Sequence, residues 1–180
     1  KEEDWPRAEA CTGIVVDEMD RATAGKELSR LYYRLGYITE KMKDNQKALR
    51  HYQTSYEIDS TYLPVLEGLA NCLVSSERWN DAVKVYQKVL VHHKDNLSEA
   101  EIADLYFQIG SLSAKLGQDD RAIKSFEKVV QIDDKHQRAI EALLETREGR
   151  GEHEEAYDLV LQLIGIVEGV RRFELYMRLG

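Results

Sequence analysis

The chain has 180 residues, 43% hydrophobic and 32% charged, which is enough to bury a core and ordinary for a fold rich in amphipathic helix. A net charge of −8 without clustered Lys and Arg argues against nucleic acid or any other polyanion as ligand. The longest apolar stretch, Leu159 to Val167, is broken by Gln162 and falls far short of a bilayer span, so the chain reads as soluble with no membrane insertion.

In chain order, the first element covers 4–19, where Asp4 ahead of Trp5-Pro6 is a helix-capping signal. A pattern then appears four times. Its first helix carries Tyr32, Leu35 and Gly36, then Leu66, Leu69 and Ala70, then Tyr106, Ile109 and Gly110, and finally Ile140, Leu143 and Leu144. Breaks follow at Lys43-Asp44-Asn45, Ser76-Glu77-Arg78, Gly117-Gln118-Asp119 and Gly149-Arg150-Gly151. A second helix succeeds each break, with Ala48 and Tyr52, Ala82 and Tyr86, Ala122 and Phe126, Ala156 and Val160. Apolar residues three and four apart give each helix one apolar face, and the small residues let paired helices approach closely. Two such helices form an antiparallel hairpin whose leftover apolar face must stack on the next.

The copies span about 29–62, 63–96, 103–136 and 137–170, and Leu175-Tyr176-Met177-Arg178-Leu179-Gly180 opens a further one at 173–180. A longer period of 74 residues lies above the first: Trp5 aligns with Trp79, Leu31-Tyr32 with Leu105-Tyr106, and Lys41 with Lys115. It arises from a six-residue insertion in alternate connections, at Asp20–Glu27 and Lys94–Glu101. Ser98 with Glu101 makes a capping box, so two of the first-position helices are expected to be about a turn longer than the others.

Tyr32-Tyr33-Arg34-Leu35-Gly36 and Tyr106-Phe107-Gln108-Ile109-Gly110, each followed by the alanine and the aromatic, resemble the tetratricopeptide repeat (TPR). The resemblance implies an all-α, right-handed superhelical solenoid of antiparallel helix hairpins. It would form one repeat domain over 1–180, with about four full repeats and partial repeats at both ends, cut from a longer array. The family's proline at the end of the second helix is replaced here by Ser60, Lys94 and Asp134, and Leu144 and Arg147 are unusual in the fourth copy.

The resemblance further implies a concave groove lined by the first helices, with Arg30, Tyr33, Arg34, Tyr37, Asn71, Phe107, Gln108 and Lys115 as partner-binding residues. A non-catalytic scaffold binding a protein or peptide segment is the function expected, with a structural or self-associating spacer as the alternative. Changing Tyr33, Arg34, Tyr37 and Phe107 together is expected to abolish capture while hardly moving the melting point. Family members that clamp the C-terminal carboxylate of heat-shock proteins use Lys, Asn and Arg where this chain has Tyr33, Tyr37, Gly68, Asp104 and Gln108, so no such clamp is expected.

The search for chemistry returns little. His51, His92, His93, His136 and His153 lie in no metal-ligand spacing, and no metal, cofactor or catalytic constellation is expected. Cys11 and Cys72 read as two buried thiols, which fits a reducing compartment such as the cytoplasm. Each end of the array presents an apolar face, so end-to-end self-association is expected.

Overall fold

The computed structural model describes residues 4–19 and 25–179. Among them are ten α-helices, no strand, and one short 3-10 turn at Lys94–Asn96. The helices are α1 (Trp5–Glu18), α2 (Gly25–Lys41), α3 (Asn45–Ile58), α4 (Leu63–Ser75), α5 (Trp79–His93), α6 (Glu99–Lys115), α7 (Asp119–Ile132), α8 (Gln137–Gly149), α9 (His153–Ile166) and α10 (Gly169–Leu179). They fall into two compact units, Lys1–Lys94 and Asp95–Gly180. In the first unit α2 pairs with α3 and α4 with α5; in the second, α6 pairs with α7 and α8 with α9.

Starts and stops follow local chemistry. Asp4 and Asp44 each accept a hydrogen bond from the backbone amide three residues on, at 3.2 and 3.0 Å, filling a donor that the helix cannot satisfy itself. Ser98 and Glu101 form the expected capping box, and α2 and α6 run 17 residues against 13 for α4 and α8. Every turn within a hairpin needs one residue in the left-handed region. The register places Lys43, Glu77, Gly117 and Gly151 there, with φ of 63°, 56°, 66° and 75°.

The hairpin cores differ in a coordinated way. Tyr52 is 1% exposed, wedged between Gly36 and Gly68, and its hydroxyl donates to Glu40 Oε2 at 2.7 Å. One 74-residue period later stand Phe126, Gly110, Ala142 and Ala114, so the hydroxyl, its acceptor and the second glycine disappear together. A buried hydroxyl without an acceptor is costly, which explains why they change as a set. Ser29 and Ser55 exchange buried hydrogen bonds between α2 and α3, and their counterparts Ala103 and Val129 share one apolar cluster.

In the fourth copy, the unusual residues find a structural place. Leu144 is buried, and Arg147 joins α8 to its neighbours through Glu127 at 2.6 Å and Glu152 at 2.9 Å.

Two features depart from simple expectation. Cys72 is buried, and burial followed by the Glu40 charge pushes its thiol pKa up to about 11. Cys11 is exposed, correcting the reading of two buried thiols. Ile14 and Val15 of α1 are exposed with it, whereas Thr12 is buried. A thiol reagent should therefore titrate one cysteine in the native protein and both in denaturant. Rapid modification of Cys72 under native conditions would contradict this packing.

His51 makes the second departure, a half-buried histidine whose Nε2 has no hydrogen-bond partner and whose ring lies 6.2 Å from that of Tyr32. Burial, then the charge of Lys47, lowers its pKa below the ordinary 6.5, so the unfolded chain binds the proton first. Stability should be intact above pH 6.5 and fall as the pH drops through the folded value. The expected result is that denaturation curves for His51→Phe lose this slope before the carboxylates titrate.

Candidate functional site

In the first unit, α2 presents Arg30, Tyr33, Arg34, Tyr37 and Lys41 at helical spacing on one face. Arg30, Arg34 and Lys41 are exposed. Tyr37 is 41% exposed, with Trp5 edge-on at 6.1 Å and the Lys41 ammonium 5.0 Å from the ring centre. Tyr33 is only half-exposed, because its ring meets Tyr52 at 5.9 Å and Tyr62 at 5.6 Å. Burial, then the neighbouring Tyr62 and Glu67, raises its phenol pKa, so it stays a neutral donor and acceptor. Asn71 is exposed on α4, the first helix of the next hairpin, which touches α2. Gly68, which stands where a heat-shock clamp would carry a polar side chain, seats the tip of Tyr52: a Cβ there would lie 2.6 Å from Tyr52 Cζ.

The second unit repeats this plan with other residues. Phe107 on α6 packs against Phe126 at 5.8 Å and His136 at 5.4 Å, and the Arg138 guanidinium lies 4.8 Å from its ring centre. Gln108 and Lys115 are exposed on the same helix. A cleft of about 460 Å³ opens beside α6 and α8, lined by Ser111, Lys115, Phe126, Glu145 and Thr146 among others. A second, of about 400 Å³, has Leu144, Leu163 and Leu175 as apolar lining and Glu141, Glu145 and Glu148 as acidic lining, with Arg171 paired to Glu141 at 3.4 Å.

Tyr62 and His136 were missed by sequence reasoning. The signal was available: Tyr33 and Phe107 are 74 residues apart, and so are Tyr62 and His136. Each first-helix ring therefore meets a ring supplied by the connection to the next hairpin. Among the described residues, no group of three or more His, Cys, Asp or Glu is arranged to hold a metal ion. Among the same residues, no helix is long and apolar enough to cross a membrane.

Two tetratricopeptide repeat models match the chain, one over 41–112 and one over 103–136, together more than half its length. The chain belongs to the tetratricopeptide repeat family. Members of this family are generally non-catalytic interaction scaffolds. No curated protein matches this TPR chain in sequence.

Solved structures share its fold. A crystal structure of MamA superposes with a TM-score of 0.67 at 18% identity, covering 90% of this chain and 88% of that one. A second MamA structure, from AMB-1, gives 0.71 at 19% identity over 93% and 86%. YrrB, described as a TPR protein with an unusual peptide-binding site, gives 0.63 at 19% identity over 88% and 75%. At these identities the likeness concerns the fold alone.

Proposed function

We propose that this TPR chain is a non-catalytic scaffold that captures a protein or peptide segment on its first-helix faces. The repeats that present those faces are taken as 29–62, 63–96, 103–136 and 137–170. The reading is carried by the α2 face: an exposed arginine pair and a lysine interleaved with two tyrosines, on a chain that is acidic overall. Arginine and tyrosine are the residue types that most often anchor interfaces. Their charge favours a partner segment bearing Asp or Glu beside apolar side chains, since opposite potentials attract across an interface. Asn71 extends this face onto α4, and Phe107, Gln108 and Lys115 offer the corresponding surface in the second unit. The peptide-binding site of YrrB offers a precedent in the same fold.

Tyr33 and Phe107 are poor probes of this reading, because each packs against two further rings and their loss would also loosen the fold. The better variant combines Arg30→Glu, Arg34→Glu and Tyr37→Ala, all at exposed positions. Peptides selected from a random display library on the immobilised chain should be acidic, and the triple variant should lose them with little change in melting. Equal retention by the triple variant would move the binding face elsewhere.

A further inference from the structure

Beyond capture on α2, we infer that the second unit binds a basic peptide segment of a partner protein, one arginine or lysine side chain entering the cleft between α6 and α8. The inference rests on first-helix faces being binding faces, but it gives the second unit the opposite charge preference to the first. The 74-residue register allows a comparison residue by residue. On α2 and α4 the face carries Arg30, Arg34, Lys41, Glu67, Asn71 and Val74. The same places on α6 and α8 hold Asp104, Gln108, Lys115, Glu141, Glu145 and Glu148. Two arginines are gone and three carboxylates have been added. The whole unit shares this bias: 95–180 carries 18 Asp and Glu against 11 Lys and Arg, so −7 of the net −8 lies there. Such a field draws in cationic partners.

The cleft itself fits one long cationic side chain. It measures about 460 Å³, with Ala114, Phe126 and Ala142 as apolar walls and Asp119 and Glu145 as acidic lining. In the first unit the corresponding residues are Glu40, Tyr52 and Gly68, and the Tyr52 hydroxyl donates to the Glu40 carboxylate. Ala114 and Phe126 withdraw both polar groups and leave apolar surface in their place. Asp119 and Glu145 replace the neutral Asn45 and Asn71, whereas Lys115 is the unchanged counterpart of Lys41.

A long basic side chain suits this combination, because its aliphatic stem covers apolar wall while its charged head reaches a carboxylate. The unit already holds one guanidinium among carboxylates. Arg147 of α8, its side chain 16% exposed, meets Glu127 at 2.6 Å and Glu152 at 2.9 Å. Arginine is the better match of the two cations, since its planar fork donates several hydrogen bonds to carboxylate oxygens.

The probe is a short fluorescein-labelled peptide of arginines spaced by leucine and serine, with a citrulline copy as its uncharged match. The arginine peptide should bind the intact chain, less tightly as salt rises, and the citrulline copy about tenfold more weakly or worse. Two variants, each copying the first unit, locate the site. Asp119→Asn with Glu145→Asn should weaken the arginine peptide by about tenfold. Ala114→Glu, Phe126→Tyr and Ala142→Gly together should refill the cleft and weaken it as much, although the chain becomes more acidic. Unspecific charge attraction would instead grow in that variant. Circular dichroism melting should show that both variants fold. The Arg30→Glu, Arg34→Glu, Tyr37→Ala variant should keep the arginine peptide, which separates this site from capture on α2. No binding by the intact chain, full binding by the refilled variant, or loss in the α2 variant alone would each overturn the inference. Displacement by spermidine at matching concentration would assign the cleft to a small polyamine and overturn it too.

Discussion

Alanine in place of Gly36 or Gly68 should destabilise the first unit by about 1–3 kcal/mol, even though alanine is intrinsically the better helix former by ~0.8–1.0 kcal/mol. Packing decides the sign. A Cβ on Gly36 would lie 2.6 Å from Tyr52 Cδ1 and Cε1, and one on Gly68 would lie 2.6 Å from Tyr52 Cζ. Tyr52 cannot retreat from either glycine, because the other stands behind it and the hydroxyl is tied to Glu40. The second unit shows how the conflict is relieved: Ala142 replaces Gly68 where Phe126 replaces Tyr52 and Ala114 replaces Glu40. Gly68→Ala combined with Tyr52→Phe and Glu40→Ala should therefore recover most of the loss. The gain should appear in a mutant cycle as coupling among three residues in contact. Urea unfolding with hydrogen exchange read on α2–α4 would measure it. Additive losses across the three changes would refute the shared-ring explanation.

A larger effect is expected from removing the rings themselves. Tyr52→Ala and Phe126→Ala should each cost about 3–5 kcal/mol, the usual loss on truncating a buried aromatic. Each ring is 1% exposed and fills the space that its opposing glycine leaves open, so its loss opens a cavity that rigid helices cannot close. Gly110→Ala, damaging alone because its Cβ would lie 2.6 Å from Phe126 Cε1, should become neutral or stabilising once Phe126 is alanine. Denaturation of the four chains in that cycle checks the reversal of sign. A Phe126→Ala loss below about 1 kcal/mol would mean that the ring is not the keystone of its hairpin.

Much of this was legible in the amino-acid order because a repeat states its structural grammar several times. The glycine before two of the hairpin turns and the aromatic sixteen residues later, Gly36 with Tyr52 and Gly110 with Phe126, marked close helix pairs. Capping by Asp4, Asp44 and Ser98 was readable because a cap needs only neighbouring atoms. Periodicity tells which side of a helix a residue occupies, but not what the next hairpin brings to that side. Tyr33 and Phe107 therefore looked like free groove residues, although Tyr62 and His136 arrive from the following connection to cover them. The close fit of Gly68 was invisible for the same reason, its partner Tyr52 belonging to the preceding hairpin. Cys11 misled differently: its register mates Val85, Ser125 and Leu159 are buried and His51 is half-buried, whereas Cys11 itself is exposed.

The interaction role is tested most directly by amide hydrogen exchange on the chain with and without a peptide selected from the display library. Slowed exchange is expected along α2 and α4 around Arg30, Arg34, Tyr37 and Asn71. This protection should be lost in the Arg30→Glu, Arg34→Glu, Tyr37→Ala variant. Protection confined to α3 and α5, with α2 exchanging as in the free chain, would contradict capture on the first-helix face.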